Sequence, residues 1–123
     1  MELETLLQYL LPKEIFEFFD FKEINKGENN QLHLHLDEKP IKPSIHYEKD
    51  LISNGFDEPV RIQDFPIRDK AVYFIVRRRK WKDKQTGKIY STHWDLAANG
   101  TSYSKEFADF LKGLFGQLPN QQQ

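Results

Sequence analysis

Residues 71–82 constrain the chain more than any other stretch. Val72, Phe74 and Val76 alternate with Tyr73 and Ile75, a two-residue period that points to a β-strand with one face in the core. The alternation runs directly into Arg77-Arg78-Arg79-Lys80-Trp81-Lys82. Successive strand residues point to opposite faces, so this run makes both faces basic at that end. The expectation is a strand that starts in the core and leaves the body as one side of a two-stranded arm. A return strand over 88–95 follows Asp83-Lys84-Gln85-Thr86-Gly87, a hairpin loop with glycine near its end. A four-residue loop sets Trp81 opposite Tyr90 and Arg77 opposite Trp94; a five-residue loop sets Trp81 opposite Ile89 and Val76 opposite Trp94. Both registers fit the sequence.

The remainder supplies the body. Leu3, Leu6, Leu7, Leu10 and Leu11 repeat at helical spacing, Pro12 ends that helix, and a second short helix buries Ile15, Phe16, Phe18 and Phe19. The polar stretch 22–30 with Gly27 reads as a turn, and Leu32, Leu34 and Leu36, alternating with His33 and His35, read as a half-buried strand. Pro40 and Pro43 break the chain, and 48–54 reads as one helical turn closed by Gly55. A strand over 60–67 carries Pro66 and so ends at a sheet edge or bulge; with 71–82 and 88–95 it forms an antiparallel meander. Asn99 to Ser102 form a loop. Tyr103, Phe107, Phe110, Leu111 and Leu114 then share one face of a helix started by Ser102 or Ser104 and stopped by Gly116 and Pro119. The last residues, 120–123, carry no packing pattern. The fold class is α+β, an antiparallel sheet of three to four strands packed with N-terminal and C-terminal helices. Residues 1–100 form its helical and β part, and 101–123 a C-terminal helix and tail.

Composition narrows the chemistry. With 123 residues the chain fits one domain, and with no cysteine it has no disulfides, thiolate metal sites or cysteine nucleophile. No apolar run approaches a bilayer span and no secretory signal opens the chain, so the expected location is cytoplasmic, with no membrane partner. A net charge of -1 hides a division: residues 1–60 hold 13 acids and 6 bases, whereas residues 61–123 hold 12 bases and 6 acids. Between Arg68 and Lys88 nine bases face only Asp69 and Asp83, which marks where a polyanion is drawn. His33, His35, His46 and His93 with Asp37 do not make a recognised ligand spacing, and a solvated strand face explains the first pair, so no metal is expected. No nucleophilic triad, phosphate loop or paired carboxylates can be ordered along the chain, so neither a catalytic residue nor a cofactor is expected. The candidate DNA-binding residues are Arg77, Arg78, Arg79, Lys80, Trp81, Lys82, Lys84 and Lys88, the cations for phosphate and Trp81 for stacking.

Gln63-Asp64-Phe65-Pro66-Ile67-Arg68-Asp69-Lys70, the 77–81 run, Thr86-Gly87-Lys88 and the stretch Gly100 to Lys112 resemble the N-terminal region of a bacterial insertion-sequence transposase. The opening Leu6-Leu7-Gln8-Tyr9-Leu10-Leu11-Pro12 fits as well, so the likeness spans nearly the whole chain. In such transposases this region precedes a helix-turn-helix, of which the resemblance offers the 105–115 helix as a candidate first helix, and a ribonuclease-H-like domain with an acidic, metal-binding triad. The resemblance therefore implies DNA-end recognition or assembly without strand transfer, with a separate or downstream catalytic domain as partner. Related transposases place a zinc ribbon here with a cysteine pair after the basic strand. Residues 81–87 contain none, which implies a zinc-ribbon-like region held by packing of Trp81, Tyr90 and Trp94.

Two functions follow. One is a non-catalytic DNA-binding and assembly region acting in DNA transposition through the basic hairpin. The alternative is a protein-interaction module whose leucine helix and 103–115 helix dock a catalytic partner or build a homo-oligomer, with the acidic half of one copy meeting the basic arm of another.

Overall fold

The computed structural model describes residues 2–41, 49–92 and 103–116. Its elements are α1 (Glu2–Leu10), α2 (Lys13–Phe18), β1 (Phe19–Lys26), β2 (Leu32–Glu38), β3 (Leu51–Phe56), β4 (Val60–Ile67), β5 (Lys70–Arg77), β6 (Arg79–Asp83), β7 (Ile89–Ser91) and α3 (Lys105–Gly116). A four-stranded sheet has the order β1-β2-β5-β4, and a three-stranded sheet the order β3-β6-β7. The class is α+β. All pairs are antiparallel except β2 with β5, which run parallel with Leu34 beside Phe74 and Leu36 beside Val76.

The core forms because the helices cover one face of the four-stranded sheet. Leu34 and Leu36 of β2, Val60 and Ile62 of β4, and Val72, Phe74 and Val76 of β5 point to that side. Against them pack Leu7 of α1, Leu11 of the link after it, Ile15 of α2, and Phe107, Phe110, Leu111, Leu114 and Phe115 from α3. Phe110 meets Phe74 and Phe19 edge-on, with centroids 5.2 and 5.4 Å apart, the geometry in which a positive ring edge meets a negative face. Gly113 lets α3 approach β4, since a Cβ there would stand 3.0 Å from a methyl of Ile62.

The start of α3 joins two helices. Ser104 Oγ accepts a hydrogen bond from the Phe107 amide at 3.2 Å, an N-cap contact, so of the two candidate serines Ser104 has this role. Buried Glu14 of α2 accepts in turn from the Ser104 amide at 2.7 Å and from its hydroxyl at 3.0 Å. Burial pushes the Glu14 carboxyl up, but the hydrogen bonds from Ser104 outweigh it and hold the group below the ordinary glutamate value.

Three local readings need correction. The stretch expected as a turn over 22–30 is strand β1 as far as Lys26, and the turn itself is closed by Gly27 and Gln31, with Gly27 N donating to Gln31 O at 2.8 Å. A register shift between Phe21 and Glu23 interrupts the two-residue period, placing Phe19, Phe21 and Ile24 opposite Glu38, Leu36 and Leu34. Residues 51–56 are strand β3 instead of part of a helical turn. Gly55 does adopt the left-handed region, φ 79°, but it lies at a bulge in β3, between Ser53 and Phe56. Third, 71–82 is two strands, because the chain switches sheets at Arg78. Pro66 lies on an edge strand beside a register break between Asp64 and Ile67, as its chemistry requires.

The expected pairing of Trp94, the loop at 99–102 and the tail 120–123 lie outside the described residues. Among those described, no helix is long and apolar enough to cross a membrane.

Candidate nucleic-acid interface

The switch at Arg78 determines what the basic run can offer. Through β5 the even positions are buried: Val72, Phe74, Val76 and, continuing the series, Arg78. Beyond it the odd positions turn inward, with Trp81 and Asp83 buried while Lys82 and Lys84 are exposed. The backbone is anchored at the break, where the Asp57 amide donates to Arg78 O at 2.8 Å. This change of phase corrects the expectation of an arm basic on both faces.

Each arginine of the run is taken up by the fold. Arg77 gives Asp37 a bidentate pair, Nε to Oδ1 at 2.8 Å and Nη2 to Oδ2 at 2.7 Å, across the parallel β2–β5 register. The Asp37 hydrogen bonds hold the Arg77 guanidinium above its ordinary pKa. Arg78 is 2% exposed; its Nη2 donates to Thr92 O, and its guanidinium carbon lies 5.0 Å from the Phe115 ring centroid. Burial pushes its pKa down while the charges of Glu38 and Asp57 oppose that shift. Arg79 donates from Nε to Glu38 O at 3.1 Å and from Nη1 to Ser53 Oγ at 2.6 Å, while its amide donates to Glu38 Oε1 at 3.0 Å. Phe56 has Arg77 and Arg79 over its ring, at 4.2 and 4.6 Å. A planar fork that matches carboxylates bidentately and stacks on aromatics suits all three positions, as a lysine would not.

Trp81 is 5% exposed, so its expected role as a stacking surface for bases is corrected. It lies opposite Tyr90 on β7 and Ser53 on β3. The pairing Trp81–Tyr90 selects the four-residue hairpin loop over the five-residue one. Asp83 shapes that loop: its Oδ1 accepts from the Gln85 amide at 2.8 Å, and its carbonyl accepts from Gly87 at 2.7 Å, where φ is 78°. The Gln85 amide bond holds the Asp83 carboxyl below its ordinary value.

What remains for a ligand is lysine. Lys80 and Lys82 share the outward face of β6, Lys84 and Lys88 flank the loop, and Lys82, Lys84 and Lys88 are exposed. Lys84 has a distant partner, Asp50 at 3.9 Å; no described carboxylate pairs with the other three. Ile52 and Ile89 stand on either side of Lys82, 44% and 48% exposed, and complete a face that is both basic and apolar. Sequence reasoning missed Ile52 and Ile89, because only the pairing of β3 and β7 with β6 brings them beside the lysine. It missed Asp37 and Glu38 as arginine partners for the same reason, since they lie some 40 residues upstream.

His33 and His35 lie on the face of the four-stranded sheet away from the core. His33 is edge-on to Tyr73 at 5.8 Å, and His35 Nε2 stands 3.8 Å from Glu23. Among the described residues no three metal-ligating groups converge; His46 and His93 lie outside them. No protein-family model, curated protein or solved structure matches the chain.

Proposed function

We propose that the chain is the non-catalytic N-terminal DNA-binding and assembly region of an insertion-sequence transposase, holding element DNA through the outward face of the β6–β7 hairpin. In this reading strand transfer belongs to a separate or downstream catalytic domain. The observation that carries it is the set Lys80, Lys82, Lys84 and Lys88, gathered on one hairpin and, apart from the long contact of Lys84, free of described carboxylates. Residues two apart on a strand share one face about 6.6 Å apart, so Lys80 and Lys82 present two cations side by side to a phosphate backbone. Arg77, Arg78, Arg79 and Trp81 leave the contact set and become the scaffold that aims the lysines. Such contacts read charge and position without reading base sequence.

The test is duplex binding by fluorescence anisotropy between about 50 and 200 mM salt. Four phosphate contacts give a slope of log affinity against log salt of roughly -3.6, from about 0.9 counterion released per contact. Changing Lys82 and Lys84 together to Ala flattens it by about 1.8. Absence of binding at about 50 mM salt, or a slope unmoved by the double change, overturns the reading in favour of the interaction module.

A further inference from the structure

Beside the β4 edge of the four-stranded sheet, α1 presents Leu3, Leu6 and Leu10 to solvent at 43%, 55% and 51% exposure, and buries only Leu7 within its nine residues. Spaced by three and four, the outward leucines make one stripe. The stripe runs into a groove of about 510 Å³ between α1, α3 and β4, where Phe65 and Ile67 are 74% and 39% exposed. Its rim is acidic. Asp64 and Glu106 both line it, and no described cation pairs with either; Asp109 also lines it but is held by Lys105 at 3.1 Å. Burial, with the Glu106 charge adding to it, raises the Asp64 pKa, the mark of a carboxylate lacking a counter-charge.

We infer that this stripe and groove dock a basic amphipathic helix of another protein, with its apolar side on Leu3, Leu6, Leu10 and Phe65 and a lysine or arginine reaching Asp64 and Glu106. Charge complementarity selects the occupant. A membrane surface is disfavoured, since α1 carries Glu2 and Glu4 and no basic residue, the reverse of a helix that lies on anionic lipid. An added β-strand is disfavoured because Pro66 lacks a donor and the register breaks between Asp64 and Ile67. A second copy does not supply the ligand, because none of the described helices combines a basic face with a free apolar one. The nine residues of α1 span about 13.5 Å, so roughly nine facing residues of a helix engage the stripe. The inference is independent of the DNA reading, which uses the other sheet.

The probe is a labelled 16-residue peptide of leucine and lysine with leucines at three-and-four spacing, compared with a permuted peptide of the same composition. The patterned peptide binds at least tenfold more tightly, Leu6→Asp with Leu10→Asp weakens it at least tenfold, and Glu106→Gln weakens it about threefold. Ile41→Asp, an exposed apolar position outside the stripe and groove, leaves it unchanged. Circular dichroism checks that the variants fold. Amide shift mapping on the unaltered chain then places the peptide along α1 and 64–67, a readout that survives failure of any variant. Equal binding of the permuted peptide, shifts confined to other regions, or dimerisation of the free chain abolished by the Leu6/Leu10 change overturns the inference.

Discussion

Arg78→Ala separates a phosphate-binding arginine from a structural one. The side chain is 2% exposed at the point where β5 gives way to β6, with Glu38, itself 2% exposed, and Asp57 supplying opposing charge. Truncation leaves Glu38 buried without that charge, removes the donor to Thr92 O, and opens a space beside Phe115. Losing a buried hydrogen bond from a charged donor costs about 1.5 to 3 kcal/mol, against a total of roughly 5 to 15 for a domain. With a urea dependence of about 1.5 kcal/mol per molar, the unfolding midpoint falls by roughly 1 to 2 M. Equilibrium urea unfolding at pH 7, followed by far-ultraviolet circular dichroism, measures it, and the exposed pair Lys82→Ala and Lys84→Ala is the control, expected within about 0.5 kcal/mol of the unaltered chain. A phosphate-binding Arg78 gives the opposite pattern: stability lost by under about 1 kcal/mol and a salt slope flatter by roughly 0.9. That result would falsify the scaffold role assigned to this residue.

Glu14→Gln removes the charged acceptor at the start of α3 and costs about 1.5 to 3 kcal/mol at pH 7. Because the folded carboxyl lies below its ordinary value of about 4.3, its stabilisation is complete above roughly pH 5 and lost as pH falls through the lowered folded value. Urea midpoints from pH 6 to 2.5 therefore decline less steeply in the variant, and equal slopes refute the assignment. Arg68 and Asp69 both have positive φ, 54° and 66°, in the two-residue turn between β4 and β5. Arg68→Asn with Asp69→Gly relieves about 1 to 2 kcal/mol and raises the melting temperature by several degrees, and an unchanged melt counts against strain there. Asp83→Ala speeds hydrogen exchange at Gln85 and Thr86 while α3 stays protected; in the unaltered chain the same loosening sets in as pH falls through the depressed Asp83 value. Unchanged exchange at those amides would show that the loop holds its shape without the carboxylate.

Local periodicity determined much of the body by itself. The alternation of Leu32 to Leu36 and of Val72 to Val76, and the helical spacing of Phe107, Phe110, Leu111 and Leu114, point to the faces that the core uses, because burial acts on each element through its own repeat. The Trp81–Tyr90 register was among the two that loop length allowed. Tertiary structure decided the rest. Strand β1 hides its period behind a bulge, and β3 looks like a helix end because a left-handed glycine serves a bulge as well as a cap. The nature of the basic run was likewise illegible in the run. Whether an arginine faces solvent or a carboxylate depends on Asp37 and Glu38, which the parallel pairing of β2 with β5 delivers from some 40 residues away. Charge in a sequence is a count, whereas charge available to a partner is what remains after the fold has paired its own ions; within residues 77–88 that remainder is the lysines, with Lys84 held only by its long contact to Asp50.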